Sequence, residues 1–274
     1  MGTQKSILIL CLAFIANVTY ADWFEGDGHK MHYPQMPDPN GWDIEMFSHA
    51  GPGVLGQNEN ADDWECSKSG PVKDIHFWTS WSDDNQYQGS DPQTIPGVLD
   101  NVFVAIYDNL PTGSGGINYS RPGTLLWSRA FQASEKEFTV RAAGTGEQGF
   151  YRPLGGPTDW TYPDHELYQQ VNIQDIRDPF YQTAGEIYWL EVHADWESGI
   201  QNPVGWKTSA DHFLDTAVWY NPESSAWIPL TNPDDTSPDF GNPLSLAFVI
   251  TPEPGTLILL LFGGLVLLQR RKSG

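Results

Sequence analysis

Turn-forming residues interrupt the body of this 274-residue chain roughly every ten positions, which leaves no room for a long helix. Between the interruptions lie short segments rich in aromatic and β-branched side chains, the types that suit a pleated, half-buried surface. Residues 74–81, 102–107, 124–128, 137–141, 168–173, 186–193, 216–220 and 245–250 read as strands. The segment 102–107 is apolar on both faces and reads as a central strand. The expectation is an all-β fold: one β-sandwich or jelly-roll-like domain over residues 38–250. Stretches 82–96, 142–163 and 221–242 read as long loops, and residues 22–37, with Pro34 and Pro37, as a poorly ordered lead.

The two ends differ from this body. In the run 257–268, ten of twelve residues are Leu, Ile, Phe or Val. At about −0.3 to −0.6 kcal/mol each near a bilayer centre, insertion is favourable by a few kcal/mol. As a helix rising about 1.5 Å per residue, the run spans roughly 18 Å, short of a hydrocarbon core of about 30 Å. It reads as a thin membrane anchor, followed by the basic stop Arg270, Arg271 and Lys272. At the other end, Lys5, the apolar stretch 7–15 and Thr19-Tyr20-Ala21 have the order of a secretory signal peptide over residues 1–21, cleaved after Ala21 by signal peptidase. Cys11 has no small residue just before it, so no lipoprotein anchor is read. Both signals place the body outside the cytoplasm and the basic end inside, as the positive-inside rule requires.

Pro252-Glu253-Pro254, the apolar run and the basic cluster, in that order, resemble the PEP-CTERM sorting signal of bacterial surface proteins. That resemblance covers residues 251–274. It implies recognition by an exosortase-like membrane peptidase and cleavage near Pro252, Glu253 and Pro254, with cell-surface or extracellular-matrix delivery. The ordinary alternative is a plain tail anchor. The body also has a familial look in Ala61-Asp62-Asp63-Trp64-Glu65-Cys66, the stretch 70–78, Ser120-Arg121-Pro122-Gly123 with Leu126-Trp127, and Gly185-Glu186-Ile187-Tyr188-Trp189-Leu190. These residues resemble an uncharacterised β domain that recurs in proteins bearing that signal, and they imply no activity.

Charge narrows the function further. With both ends removed, ten Lys and Arg face 34 Asp and Glu, so the mature body carries −24. Nucleic acid is excluded as a partner, because its binding needs a cationic surface for counterion release. The acidic surface instead attracts divalent cations such as Ca²⁺ without defining a site, and no other cofactor is expected. Cys66 is the one cysteine left in the body, so no intrachain disulfide forms there, and it reads as a small buried hydrophobe.

Catalytic motifs are missing. His165-Glu166-Leu167-Tyr168-Gln169 lacks the second His of a zinc-protease helix and lies partly in a strand segment. Asp38-Pro39-Asn40-Gly41-Trp42-Asp43 places its Gly too early for an EF-hand and reads as a turn. His29 and His32 read as solvated side chains of the lead. Carboxylates are too numerous for any pair to signal glycoside hydrolysis. No catalytic role is expected.

All twelve Trp lie in the body. Trp78, Trp127, Trp189 and Trp219 fall in strand-like runs and read as core. Trp160, Trp196 and Trp227 sit in loop-like surroundings and are candidates for stacking on sugar rings, with Asp159, Asp195 and Asn221 as polar partners. The reading is therefore a secreted, anchored surface protein. The alternatives are a carbohydrate-binding module tied to exopolysaccharide and a secreted polysaccharide hydrolase. Replacing Glu253 by Gln should leave a longer, unprocessed form in membranes, visible as intact mass. An unaltered mature mass would count against peptidase sorting.

Overall fold

Strands form wherever alternation can divide side chains between an apolar layer and an opposite face. The computed structural model describes residues 23–46, 51–56, 58–83, 99–196 and 202–251. Expectations for the signal peptide, Ala21, Pro252-Glu253-Pro254, the apolar run and Arg270, Arg271 and Lys272 lie outside those residues. The strands are β1 (Trp42–Glu45), β2 (Asn60–Glu65), β3 (Gly70–Pro71), β4 (Asp74–Trp81), β5 (Leu99–Leu110), β6 (Arg121–Gln132), β7 (Phe138–Tyr151) and β8 (Trp160–Ile173). They continue as β9 (Tyr181–Gln182), β10 (Ile187–Trp196), β11 (Val204–Ser209), β12 (Val218–Asn221), β13 (Ala226–Pro229), β14 (Ser245–Leu246) and β15 (Phe248–Thr251). The protein is all-β, and among the described residues no helix is long and apolar enough to cross a membrane.

A seven-stranded sheet runs β14-β11-β1-β7-β8-β4-β15, a six-stranded sheet runs β13-β12-β2-β10-β5-β6, and β3 pairs with β9. The first sheet also closes on itself. Beyond its place beside β1, β11 pairs with β4 through Val204↔Trp81, Gly205↔Ser80 and Trp206↔Thr79. Since β4 pairs with β8, β8 with β7, β7 with β1 and β1 with β11, five strands complete a ring. The β1–β7 contact is parallel and the other four are antiparallel.

One apolar cluster joins the two large sheets. Ile75, Phe77, Val171, Ile173, Trp206 and Phe248 from the first meet Trp64, Val102, Val104, Ile106, Leu190 and Val192 from the second. Trp64 stands edge-on to Phe248 at 6.3 Å, and Trp206 contacts Phe77 and Phe248 at 6.0 and 6.1 Å. Two of the buried indole N–H groups at this seam are satisfied. Trp206 donates to the Ala247 carbonyl at 2.9 Å, and Trp64 to Gln182 Oε1 at 3.1 Å.

β4 coincides with the expected strand 74–81, and all eight expected segments overlap strands. Three expectations are corrected. Much of the stretch 142–163, read as loop, belongs to the paired ends of β7 and β8. Its glycines serve close approach: a Cβ at Gly149 would stand 2.5 Å from the Trp42 ring, and one at Gly146 would collide with the Pro39 carbonyl. β1, β2, β11 and β13 were not anticipated. The lead is packed rather than loose. Trp23, Met31 and Gln35 are buried, and isolated bridges join Met31 to Cys66, Gln35 to Phe248 and Pro37 to Ser209. Pro34 and Pro37 prevent a continuous strand there, yet the extended backbone between them still meets the sheets at single residues.

Met31 is fully buried and its sulfur accepts the Ile250 amide at 3.3 Å. Met31→Ala should therefore destabilise the domain by about 2–5 kcal/mol. An unchanged denaturation midpoint would show that the lead does not belong to the core.

Candidate functional site

The register Asp43↔Lys207 and Ile44↔Trp206 turns Ile44 and Trp206 into the shared apolar core. Asp43 and Lys207 must then occupy the opposite face, since neighbouring side chains alternate. On β7, Gln148 Oε1 accepts hydrogen bonds from Ser80 Oγ of β4, at 3.0 Å, and from Lys207 Nζ of β11. β7 adjoins only β1 and β8 in the ring, so these bonds cross its interior. His165 of β8 likewise reaches across to Asp43 of β1, with Nε2 at 3.0 Å from Oδ2. Lys207 Nζ lies 3.3 Å from the same oxygen and 5.2 Å from the centre of the Tyr168 ring. The ring interior is thus filled by charges. The side chains of Asp43, His165 and Lys207 have no exposed surface. Gly205 leaves room for them: a Cβ there would stand 2.9 Å from the Asp43 Cβ and 3.0 Å from Phe150.

The interior connects to the surface through Asp164. Its Oδ2 lies 2.8 Å from His165 Nδ1 and accepts the Asp83 amide at 2.8 Å, while Oδ1 accepts Ser82 Oγ at 3.4 Å. Burial by itself lowers the His165 pKa, but hydrogen bonds to Asp164 and Asp43, with their negative charges, outweigh it and bring His165 up to about 9. Burial raises Asp164, yet the His165 bond and the Asp83 amide outweigh that and hold it below its ordinary value. Burial lowers Lys207, against the opposing pull of Asp43. Among the described residues, Asp43 Oδ1 has no hydrogen-bond partner.

Buried acids recur around β2 and β10. Asp62 accepts Gln35 Nε2 at 2.7 Å, the Leu246 amide at 2.6 Å and the Asp63 amide at 2.9 Å, and burial still pushes it up to about 8. Burial, then the charges of Asp62 and Asp215, raise Asp63 to about 9. Burial also raises Glu191, whose Oε1 lies 2.6 Å from His193 Nδ1. Among the described residues, no group of three or more His, Cys, Asp or Glu is placed to hold a metal ion. The ring interior has the donors and acceptors of acid–base chemistry, but its central groups touch no solvent. What the geometry provides is an ionic core that ties five strands together.

The Trp candidates lie in strands, which corrects their loop assignment. Trp160 opens β8, half-buried and edge-on to Trp42 at 5.6 Å. Trp227 lies in β13 at 6% exposure, against Tyr107 and Tyr220 at 6.2 and 5.5 Å. Trp196 ends β10 opposite Leu99. Trp160 belongs to the seven-stranded sheet, whereas Trp196 and Trp227 belong to strands of the six-stranded one. Their polar partners are engaged elsewhere. Asp159 faces Arg152 at 3.8 Å, Asp195 accepts Asn101 Nδ2 at 2.7 Å, and Asn221 Oδ1 accepts the Glu223 and Ser224 amides of a turn. His32, expected in solvent, stacks on Phe213 at 3.4 Å, and burial, then His29, lower its pKa to about 3. Asp43, Gln148 and Lys207 were not singled out as site residues. Their signal was a lone Lys beside Trp in the stretch Gly205-Trp206-Lys207-Thr208-Ser209, which did not read as a strand.

Fold and interior together define an all-β domain built around a sealed ionic ring. Residues 31–251 match the family described as "Domain of unknown function (DUF7901)", and the chain belongs to that family. No curated protein and no solved structure matches it significantly.

The folded pKa of His165, about 9, lies above the ordinary histidine value of 6.5. Its stabilising contribution is full below pH about 6.5 and is lost as pH rises through about 9. The raised Asp62 and Asp63 act in the same direction. Wild-type stability should fall between pH 6.5 and 9, with His165 responsible for a slope of up to about 1.4 kcal/mol per pH unit. Denaturation of His165→Gln across that range should give a shallower slope, and an identical slope would contradict the assignment.

Proposed function

We propose that this chain is a secreted surface protein. Its β domain is displayed outside the cytoplasm and held at the membrane by residues 251–274, until an exosortase-like peptidase processes the tail. The observation that carries this reading is the junction after Thr251. Strand β15 ends at Thr251, the family match also ends at residue 251, and Pro252-Glu253-Pro254 follows at once. The sorting motif thereby lies just beyond the family domain, where a membrane peptidase could cut without removing any part of that domain. The two facing sheets are read as a sandwich distorted where one of them closes into a ring.

The domain has no catalytic role in this reading. Hydrolysis of a glycosidic bond needs two carboxyl groups facing one cleft. The strongly raised carboxyls Asp62 and Asp63 are instead buried at β2, and the side chains of Asp43 and His165 have no exposed surface. The charge of −24 on the body keeps a displayed domain soluble and disfavours adhesion to anionic lipid. Exopolysaccharide is the partner class that surface display brings within reach, and signal peptidase acts first, after Ala21. Deleting residues 252–274 should release soluble protein into the medium of the native cells. Unchanged retention in the membrane fraction would contradict the anchor.

A further inference from the structure

A cleft of about 200 Å³ opens beside the ring, where the 23–37 segment crosses the seven-stranded sheet. Trp23, Phe24, Glu25, Trp78, Arg141 and Tyr168 line it. Trp23 and Trp78 meet edge to face at 6.1 Å and an interplanar angle of 83°, both buried beneath the cleft, so its accessible aromatic surface comes from Phe24 and the half-buried Tyr168. Arg141 is held in place from three sides. Its Nε donates to Gln170 Oε1 at 2.8 Å, Nη2 donates to the Trp23 carbonyl at 3.1 Å, and its guanidinium lies 4.3 Å over the Phe24 ring. Phe24 nevertheless remains 55% exposed, a large apolar ring left at the rim of a polar cleft. Tyr168 is shared with the ionic ring, since Lys207 Nζ lies 5.2 Å from the centre of its ring.

We propose that this cleft binds one pyranose ring of a neutral glycan. Aromatic surface matches the C–H face of a sugar, while a fixed guanidinium and a nearby carboxylate supply a donor and an acceptor for its hydroxyls. The volume is below the roughly 300–1,000 Å³ typical of drug-sized ligands, which points to a single ring rather than an extended chain. Charge selects a neutral ligand. The body's −24 repels a polyanion, and Arg141 opposes a cationic sugar inside the cleft. The site is distinct from Trp160, Trp196 and Trp227 and does not depend on the C-terminal tail. It gives the displayed domain a ligand class.

Trp23 and Trp78 make the cleft self-reporting. Full-length protein in a non-glycosidic detergent can be titrated with methyl glycosides of glucose, galactose, mannose and xylose while Trp fluorescence is followed. At least one should give a saturable change. Phe24→Ala, at an exposed position, should keep the wild-type melting temperature and weaken that binding about tenfold; Arg141→Met should weaken binding by a similar factor while also lowering the melting temperature, because it frees the Trp23 carbonyl. Trp227→Phe should bind like wild type. No saturation with any of the four glycosides, or undiminished binding by Phe24→Ala, would overturn the proposal. Tighter binding of methyl glucuronide than of any neutral glycoside would overturn the neutral assignment. Either failure leaves tail-dependent display untouched, because that is read from membrane retention.

Discussion

An ammonium group with no exposed surface sets the terms for this fold. Lys207 cannot be buried alone, because an unpaired interior charge costs several kcal/mol. Its partners must therefore arrive with it: Asp43 from β1, Gln148 from β7 and, through Asp43, His165 from β8. Meeting those contacts fixes the relative register of four strands. Ser80, bonded to Gln148, adds β4. The pairing of β11 with β4 is the backbone counterpart of that requirement and completes the ring. Apolar burial drives the collapse, but it is tolerant of sliding, whereas a buried ionic network is satisfied in one register only.

The same arrangement orders the segment that precedes β1. Trp23 packs on Trp78, Gln35 bonds Asp62 and the Leu246 carbonyl, and Arg141 on β7 holds the Trp23 carbonyl. Tyr168 stands between the ionic ring and the aromatic cleft, in contact with Lys207 and also lining the cleft. Internal order and the proposed binding surface thus share residues. Gly144 preserves this junction, because a Cβ there would collide with the Tyr168 hydroxyl.

The all-β class was legible from turn spacing, and β4 was legible to the residue, because Asp74–Trp81 is unbroken by Gly or Pro and dense in aromatics. β2 and β11 were hidden by the residues that make the structure distinctive. Asn60, Asp62 and Asp63 in one, and Gly205 and Lys207 in the other, have the composition of turns. Only a fold that pairs these groups internally makes them strand residues. Gly146, Gly149 and Pro163 likewise gave the far ends of β7 and β8 a loop-like look, although backbone and ring contacts demand those glycines. Of the candidate site, the aromatic content was visible but its location was not. Loop-like context misplaced Trp160 and Trp227, and prolines disguised the 23–37 segment, which carries Trp23 and Phe24.

A sealed ionic ring is a structural device, and the non-catalytic reading rests on its central groups staying sealed. Hydrogen exchange at the amides of β11, from Val204 to Ser209, measures this directly. If the interior opens only when the whole domain unfolds, these amides should exchange at the slowest rate in the protein, with a free energy equal to that of global unfolding. Exchange through a lower-energy local opening, while the core strands β5 and β10 stay protected, would show that water and ligands reach Asp43, His165 and Lys207 in the folded state.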